Sequence, residues 1–214
     1  MIQKPTQLLL ARHGEVEESY HKIFGGRIDM NLSARGHEQA KMLASFLGKK
    51  KIDAIYASPM KRVQQTLAPF LANGAPPQKI VDDLHEVDFG DWTGLNWEQV
   101  CERFNLLTHE WLDHIERGVA PNSESGPQFR KRIAPCIREI IKNHPGQTVA
   151  IFCHGGVIRM ILSILLDLPL PRTNMFEVEY ASVTQIALHP RHAEIELLNF
   201  TPWRDLAPGG PSSK

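Results

Sequence analysis

Apolar residues in this chain come in short unbroken blocks, and each block stops at a turn signal. Leu8, Leu9, Leu10 and Ala11 form the first, bounded by Pro5 and Gly14, the pattern of a central strand buried on both faces. Ala54–Ala57 and residues 79–81 and 148–152 read as further strands, with an apolar helix over 157–166. Between them the period changes. Ser33 is placed to cap a helix whose Ala40, Leu43, Ala44 and Leu47 share one face. A second helix starts near Met60 and is expected to bend or end at Pro69. Residues 97–117, with Trp97, Phe104 and Trp111, suit one or two helices; Phe129, Ile133, Cys136, Ile137, Ile140 and Ile141 mark a long one, with Pro135 as its expected kink. Residues 182–188 and 194–198 resemble a hairpin at the sheet edge. From Thr201 the chain turns to Pro, Gly and Ser, which predicts a disordered tail or a loosely docked strap over 201–214. Helices separating apolar strands imply an α/β fold with a parallel, helix-covered sheet.

Four segments carry candidate chemistry. Arg12-His13-Gly14 follows the first strand directly, at the carboxyl end where open α/β sheets place their ligands. A guanidinium beside an imidazole there suits an anion held by Arg12 and attacked by His13; a solvated turn is the plainer alternative. Arg62 falls in the first turn of the helix that follows Ser58-Pro59. A cation gains nothing from the dipole at that end, so an anionic ligand would explain its position, although taken alone a surface arginine is the plainer reading. His154-Gly155-Gly156 lies on a strand-to-helix turn whose glycines let backbone N–H groups approach an anion. Glu86, in the loop Leu84 to Leu95, is a candidate general acid or one more loop carboxylate.

Taken in order, these four segments resemble the histidine phosphatase superfamily, which includes the cofactor-dependent phosphoglycerate mutases. The likeness covers roughly residues 7–190 and is strengthened by Gly26-Arg27-Ile28-Asp29, Leu32, Gly36 and Gln39-Ala40. It implies a three-layer α/β/α sandwich with a mostly parallel sheet, some antiparallel edge pairing, and a cap over about 83–127 within one domain spanning 1–200. It also implies roles: His13 as phosphoryl acceptor, Arg12, Arg62 and His154 as the phosphate pocket, and Glu86 as proton donor to the leaving group. Ser19, Gly26, Gly155 and Glu124 are the expected substrate contacts. The residue types agree with this chemistry. Positive charge must collect around three phosphoryl oxygens, a neutral His13 needs an acceptor for its other nitrogen, expected to be a backbone carbonyl, and the alkoxide needs a proton from a carboxyl group held protonated by its surroundings. No metal or cofactor is required. Two positions depart from the family pattern: Val16 replaces a Thr or Ser, and Ser19 replaces an Asn.

Three other readings compete. Cys153, Gly156 and Arg159 have the spacing of the cysteine-dependent phosphatases, but that reading leaves Arg12, His13 and Arg62 unexplained. A mutase would carry an arginine directly after its acid glutamate for the substrate carboxylate; here Val87 and Asp88 follow, and the form of this loop looks like the α-ribazole phosphatase and broad-specificity phosphatase members. A catalytically weak phosphate-binding protein of the same fold is the third.

Composition narrows the partners. The 214 residues hold 24 Lys plus Arg against 24 Asp plus Glu, so bulk charge makes no case for nucleic acid or anionic membrane. Cys101, Cys136 and Cys153 form no paired motif, which fits a reducing cytoplasm and no zinc site. The first apolar run is too short for a signal peptide or a span. The expected partner is a small phosphorylated metabolite, and the reading leaves room for a homodimer.

Overall fold

The computed structural model describes residues 4–106 and 110–206. Its sheet has six strands: β1 (Thr6–Arg12), β2 (Ala54–Ala57), β3 (Gln78–Ile80), β4 (Thr148–Cys153), β5 (Val183–Leu188) and β6 (Ala193–Phe200). Their order is β3-β2-β4-β1-β5-β6. The first four run parallel, while β5 pairs antiparallel with β1 and β6 with β5. The expected mostly parallel sheet with an antiparallel hairpin edge is what forms.

Alternation along β1 divides the core. Leu8 and Leu10 face α5 (Gly126–Asn143) and α6 (Gly155–Leu165), meeting Phe129, Ile133, Ile137, Val157 and Ile161. Leu9 and Ala11 face α1 (Ala34–Leu47) and α2 (Lys61–Ala72), meeting Leu43, Leu47, Val63 and Leu67. Both faces of the sheet are therefore covered. Between β3 and α5 the chain makes two short 3-10 turns and the helices α3 (Trp97–Phe104) and α4 (Trp111–Arg117). Trp92, Val100, Leu112 and Ile115 of this segment share the α5–α6 side of the core.

Local signals explain most boundaries. The Ser33 side chain accepts from Gly36 N–H and starts α1. Asn96 and Gln99 close a capping box on α3. Two expectations need correction. Pro69 does not end α2, which continues through Phe70 and Leu71 to Ala72; burial of Leu67 and Phe70 holds that last turn in spite of the lost N–H donor. Residues 201–206 are ordered: α7 (Pro202–Asp205) packs on α1, and Trp203 Nε1 donates to the Tyr180 carbonyl at 2.8 Å. The rest of the expected tail, 207–214, lies outside the described residues. Pro135 sits within the continuous helix α5. Among the described residues no helix is long and apolar enough to cross a membrane.

Candidate active site

The register of β1 and β4 brings the first two motifs together. Arg12 is paired with Cys153, and His13 N–H donates to the Cys153 carbonyl at 3.1 Å, so both chains leave the sheet at the same edge. β2 lies on the other side of β4 and delivers the start of α2, with Ser58 N–H bonded to the Phe152 carbonyl. Three strand ends thus aim His13, Arg62 and His154 at one point. The turn after β1 is tight. A Cβ on Gly14 would come within 2.7 Å of the Gly36 carbonyl oxygen, and one on Gly36 within 2.0 Å of that of Glu15. Gly14 N–H is held by Thr66 Oγ1 and Glu15 N–H by Gln39 Oε1, which accounts for Gly36 and Gln39 in the motif.

His13 is buried, with Nδ1 2.8 Å from the Gly14 carbonyl oxygen. A carbonyl only accepts, so Nδ1 carries the proton and Nε2 keeps its lone pair. Arg62 Nε–H donates to that Nε2 at 3.3 Å. Burial, then the charges of Arg62 and Arg12, hold the imidazole pKa well below its usual 6.5. Arg62 is fixed from behind, donating through Nη1 to Ile28 O at 2.7 Å and through Nη2 to Gly26 O at 2.9 Å. Burial lowers its pKa to about 10. Arg12 donates through Nη1 to Val178 O at 2.6 Å and lies over the Tyr180 ring, 4.1 Å from its centroid; its buried Nε–H has no partner among the described residues.

His154 is fully buried as the N-cap of α6, 2.8 Å from Ser58 Oγ through Nε2, and its Nδ1 has no partner among the described residues. Its ring stands edge-on to that of His13 at 5.3 Å, and burial followed by Arg62 pushes its pKa well down. Glu86 reaches the same helix start: Oε2 accepts Gly156 N–H at 3.1 Å and Oε1 accepts Val87 N–H at 3.0 Å.

These groups line a cavity of about 240 Å³. Its floor is Arg12, His13, Arg62, Gly155, Gly156 and Glu86; Val16, Phe24, Phe89 and Trp111 stand along its apolar wall. His154 is not among the lining residues and meets the site through its ring contact with His13. Positive charge at the base of an apolar cleft suits an anionic group attached to a less polar body.

Placement differs among the other expected contacts. Gly155 lines the cavity, and so does Gly26, whose carbonyl is spent on Arg62. Ser19 does not: it is exposed on the turn Glu18–Tyr20, while its neighbours Val16 and Tyr20 line the cavity. Glu124 is also away from the cavity, because Arg132 holds both of its oxygens at 2.8 and 2.6 Å. Of the two residues that argue against a mutase, Val87 offers no carboxylate contact, as expected, while Asp88 does not reach the cavity to repel one. Val87 is buried in the core, and Asp88 faces Arg27 at 3.6 Å. Cys153 is fully buried, and burial and nearby Glu86 push its thiol far up, away from the thiolate that a nucleophile needs. Ser58 and Tyr180 join the site with no role assigned by the sequence, and Arg159, which the cysteine-phosphatase spacing picks out, lines the cavity. Arg159 had a readable signal: it is spaced one helical turn from Gly155 and Gly156, on their face of α6. Among the described residues, the one cluster with metal-ligand spacing is His189, His192 and Glu194, within 4.8 Å of one another. It lies at the β5–β6 turn, at the opposite end of the sheet.

A sequence profile of the histidine phosphatase superfamily (branch 1) matches residues 8–201. Phosphoserine phosphatase 1 of Hydrogenobacter thermophilus is 32% identical over 197 residues, covering 92% of this chain and 93% of its own. The α-ribazole phosphatase of Shigella flexneri superposes with a TM-score of 0.79 at 26% identity, over 91% of this chain and 96% of that one. Mycobacterial glucosyl-3-phosphoglycerate phosphatase gives 0.80 at 25% identity, over 91% and 99%.

Proposed function

This chain belongs to the histidine phosphatase superfamily, and we propose that it hydrolyses phosphomonoesters of small metabolites through a phosphohistidine on His13. The observation that carries the reading is the His13 imidazole, whose proton is tied to Gly14 O and whose Nε2 lone pair opens onto the cationic floor. Relatives named as phosphatases support the class of reaction. Their names cover unlike leaving groups, so they support the chemistry and leave the substrate open.

In this reading the phosphoryl group sits between Arg12, Arg62 and His154, whose donors meet its three outer oxygens. A phosphoryl oxygen takes over the long Arg62 Nε–H contact, releasing the His13 lone pair. Nε2 attacks phosphorus, the bond from phosphorus to the ester oxygen breaks, and Glu86 gives its proton to the departing oxygen. Water then attacks phosphorus, Glu86 takes the water proton, and the P–N bond breaks to free His13 and phosphate. The arginines neutralise the developing charge, so no metal enters the scheme. The segment holding α3 and α4 acts as the cap, with Phe89 and Trp111 as its contribution to the cavity wall.

The test is acid-free quenching with a ³²P-labelled monoester in the presence of a chelator, for wild type, His13→Ala and Cys153→Ser. Wild type and the cysteine variant are expected to release phosphate and to carry base-stable label, and the histidine variant to do neither. Label and turnover that survive loss of His13 but not of Cys153, with both variants folded, would overturn the assignment.

A further inference from the structure

Arg159 is the cation that this scheme does not use. It stands on the inner face of α6, where helical side chains lean toward the N-terminus and hence toward the cavity. Gly155 and Gly156, one turn earlier on the same face, pack against Arg12 and Glu86, which puts Arg159 on the side of the helix that carries the phosphate-site groups. Arg12 and Arg62 are each anchored by backbone carbonyls. Arg159 makes no hydrogen bond or ion pair with any described residue, and its buried Nε–H is without a partner. Glu86 and the exposed Glu177 act on it only through space, and Arg12 opposes them; burial lowers its pKa to about 10. A guanidinium with five fixed donors, partly buried and unanchored, is costly unless a ligand meets it.

From this we infer that Arg159 binds a second anionic group, a carboxylate on the organic half of the substrate, so that the preferred substrates are phosphate esters of small hydroxy acids. The inference rests on the phosphatase reading above. Two features favour a carboxylate over a second phosphate. One planar fork matches one carboxylate in bidentate fashion. A second phosphate dianion would call for more cations, and the cavity lining holds none beyond Arg12, Arg62 and Arg159. The cavity, about 240 Å³ and shared by Arg159, Arg12 and Glu86, keeps the two anions within a few bonds of each other.

The test uses 3-phosphoglycerate and glycerol 3-phosphate, which differ only in carboxylate against hydroxymethyl. Wild type is expected to favour 3-phosphoglycerate in kcat/KM by about ten- to a hundredfold, the range of a charge-assisted bidentate contact. In Arg159→Gln that preference should collapse toward unity, with Arg159→Lys intermediate. Circular dichroism and a melting curve check that each variant is folded. A preference unchanged in Arg159→Gln overturns the inference, whether both esters slow together, which makes Arg159 a phosphate ligand, or neither does. Hydrolysis of p-nitrophenyl phosphate by wild type reads the phosphatase assignment separately. Should turnover be absent, calorimetric binding of the two esters to wild type and Arg159→Gln still decides: equal affinities in the wild type refute a carboxylate contact.

Discussion

Gly156 is where a single methyl group should separate acid catalysis from phosphate binding. The residue has helical backbone in the first turn of α6, so alanine fits the conformation and brings about 0.5–1 kcal/mol of helix preference. Its Cβ, however, would stand 2.5 Å from Glu86 Oε1 and 3.2 Å from Glu86 Cδ. All three nearest atoms belong to the end of the Glu86 side chain, so the carboxyl group moves and the helix stays. In moving it gives up the N–H contacts of Gly156 at 3.1 Å and Val87 at 3.0 Å. Hydrogen bonds to a neutral carboxyl group contribute roughly 0.5–1.5 kcal/mol each, and a carboxyl group swinging into the cavity regains water. The net cost is set at about 1–2 kcal/mol, a melting shift of about 2–8 °C for a chain of this size.

The kinetic effect should be larger. General acid catalysis contributes about 10²–10⁴-fold, and a displacement of about 1 Å can cost about 10²-fold. Gly156→Ala should therefore slow hydrolysis of an alkyl phosphate such as glycerol 3-phosphate about a hundredfold. The same change should slow p-nitrophenyl phosphate less than about tenfold, because that phenolate leaves without a proton. Steady-state assays on both esters read the contrast, and the double variant with Glu86→Gln should be no slower than Glu86→Gln alone, since both act on one group. A folded Gly156→Ala protein that keeps alkyl phosphate turnover within about threefold of wild type would refute the role given to Glu86, as would an equal loss on both esters.

Two further outcomes are expected. His13 and His154 both have folded-state pKa values held below the unfolded value near 6.5, so unfolding takes up protons: their full contribution to stability is present above about pH 6.5 and is lost as pH falls through the folded values, by at most about 1.4 kcal/mol per histidine per pH unit. Urea midpoints at pH 7.5 and 5.5 should show this, with a smaller difference in His154→Asn; a flat profile contradicts the buried neutral pair. With 3-phosphoglycerate and 2,3-bisphosphoglycerate as primer, phosphate release should outrun isomerisation to 2-phosphoglycerate, and the reverse order would make the protein a mutase.

The parts of the fold legible in the sequence are those governed by local rules. Leu8 to Ala11 read as a doubly buried strand because no polar residue interrupts them, and the two faces they meet are α5–α6 and α1–α2. Ser33 read as a cap because its hydroxyl has an N–H three residues on. His13, Arg62 and His154 each stand where a strand gives way to a turn or helix, so parallel pairing of β1, β4 and β2 is enough to gather them. What escaped depends on contacts remote in sequence. Tyr180 reaches Arg12 from the turn before β5, and nothing near it in the chain marks a site. Glu124 looked like a ligand until Arg132, a helical turn or two away on α5, took both of its oxygens. Pro69 looked like a stop because a proline is destabilising in a helix, a local cost that burial of Phe70 outweighs.

The loop after Glu86 shows how far side-chain direction governs the substrate question. Glu86 points to the α6 start, Val87 into the core, Asp88 out to Arg27, and Phe89 back to the cavity. The two residues following the acid therefore cannot discriminate a carboxylated ester from a neutral one; that choice is left to Arg159, and Phe89 and its neighbours shape the space for the organic half. Phe89 stands 4.9 Å from Phe24 and 5.6 Å from Trp111, ring centre to ring centre, and Phe24 is 6.4 Å from Trp111. Those are the separations of mutually supporting aromatic rings. Trp92 and Trp97 back Phe24 at 5.3 and 5.8 Å, which keeps the wall from yielding. The three wall residues come from three separate segments: the loop after β1, the loop after β3, and α4. Phe89 and Trp111 come from the segment between β3 and α5, so the shape offered to the organic half of a substrate depends on how that segment packs against Phe24. The cations Arg12 and Arg62 are set instead by the carboxyl ends of β1 and β2, while Glu86 comes from the same segment as Phe89.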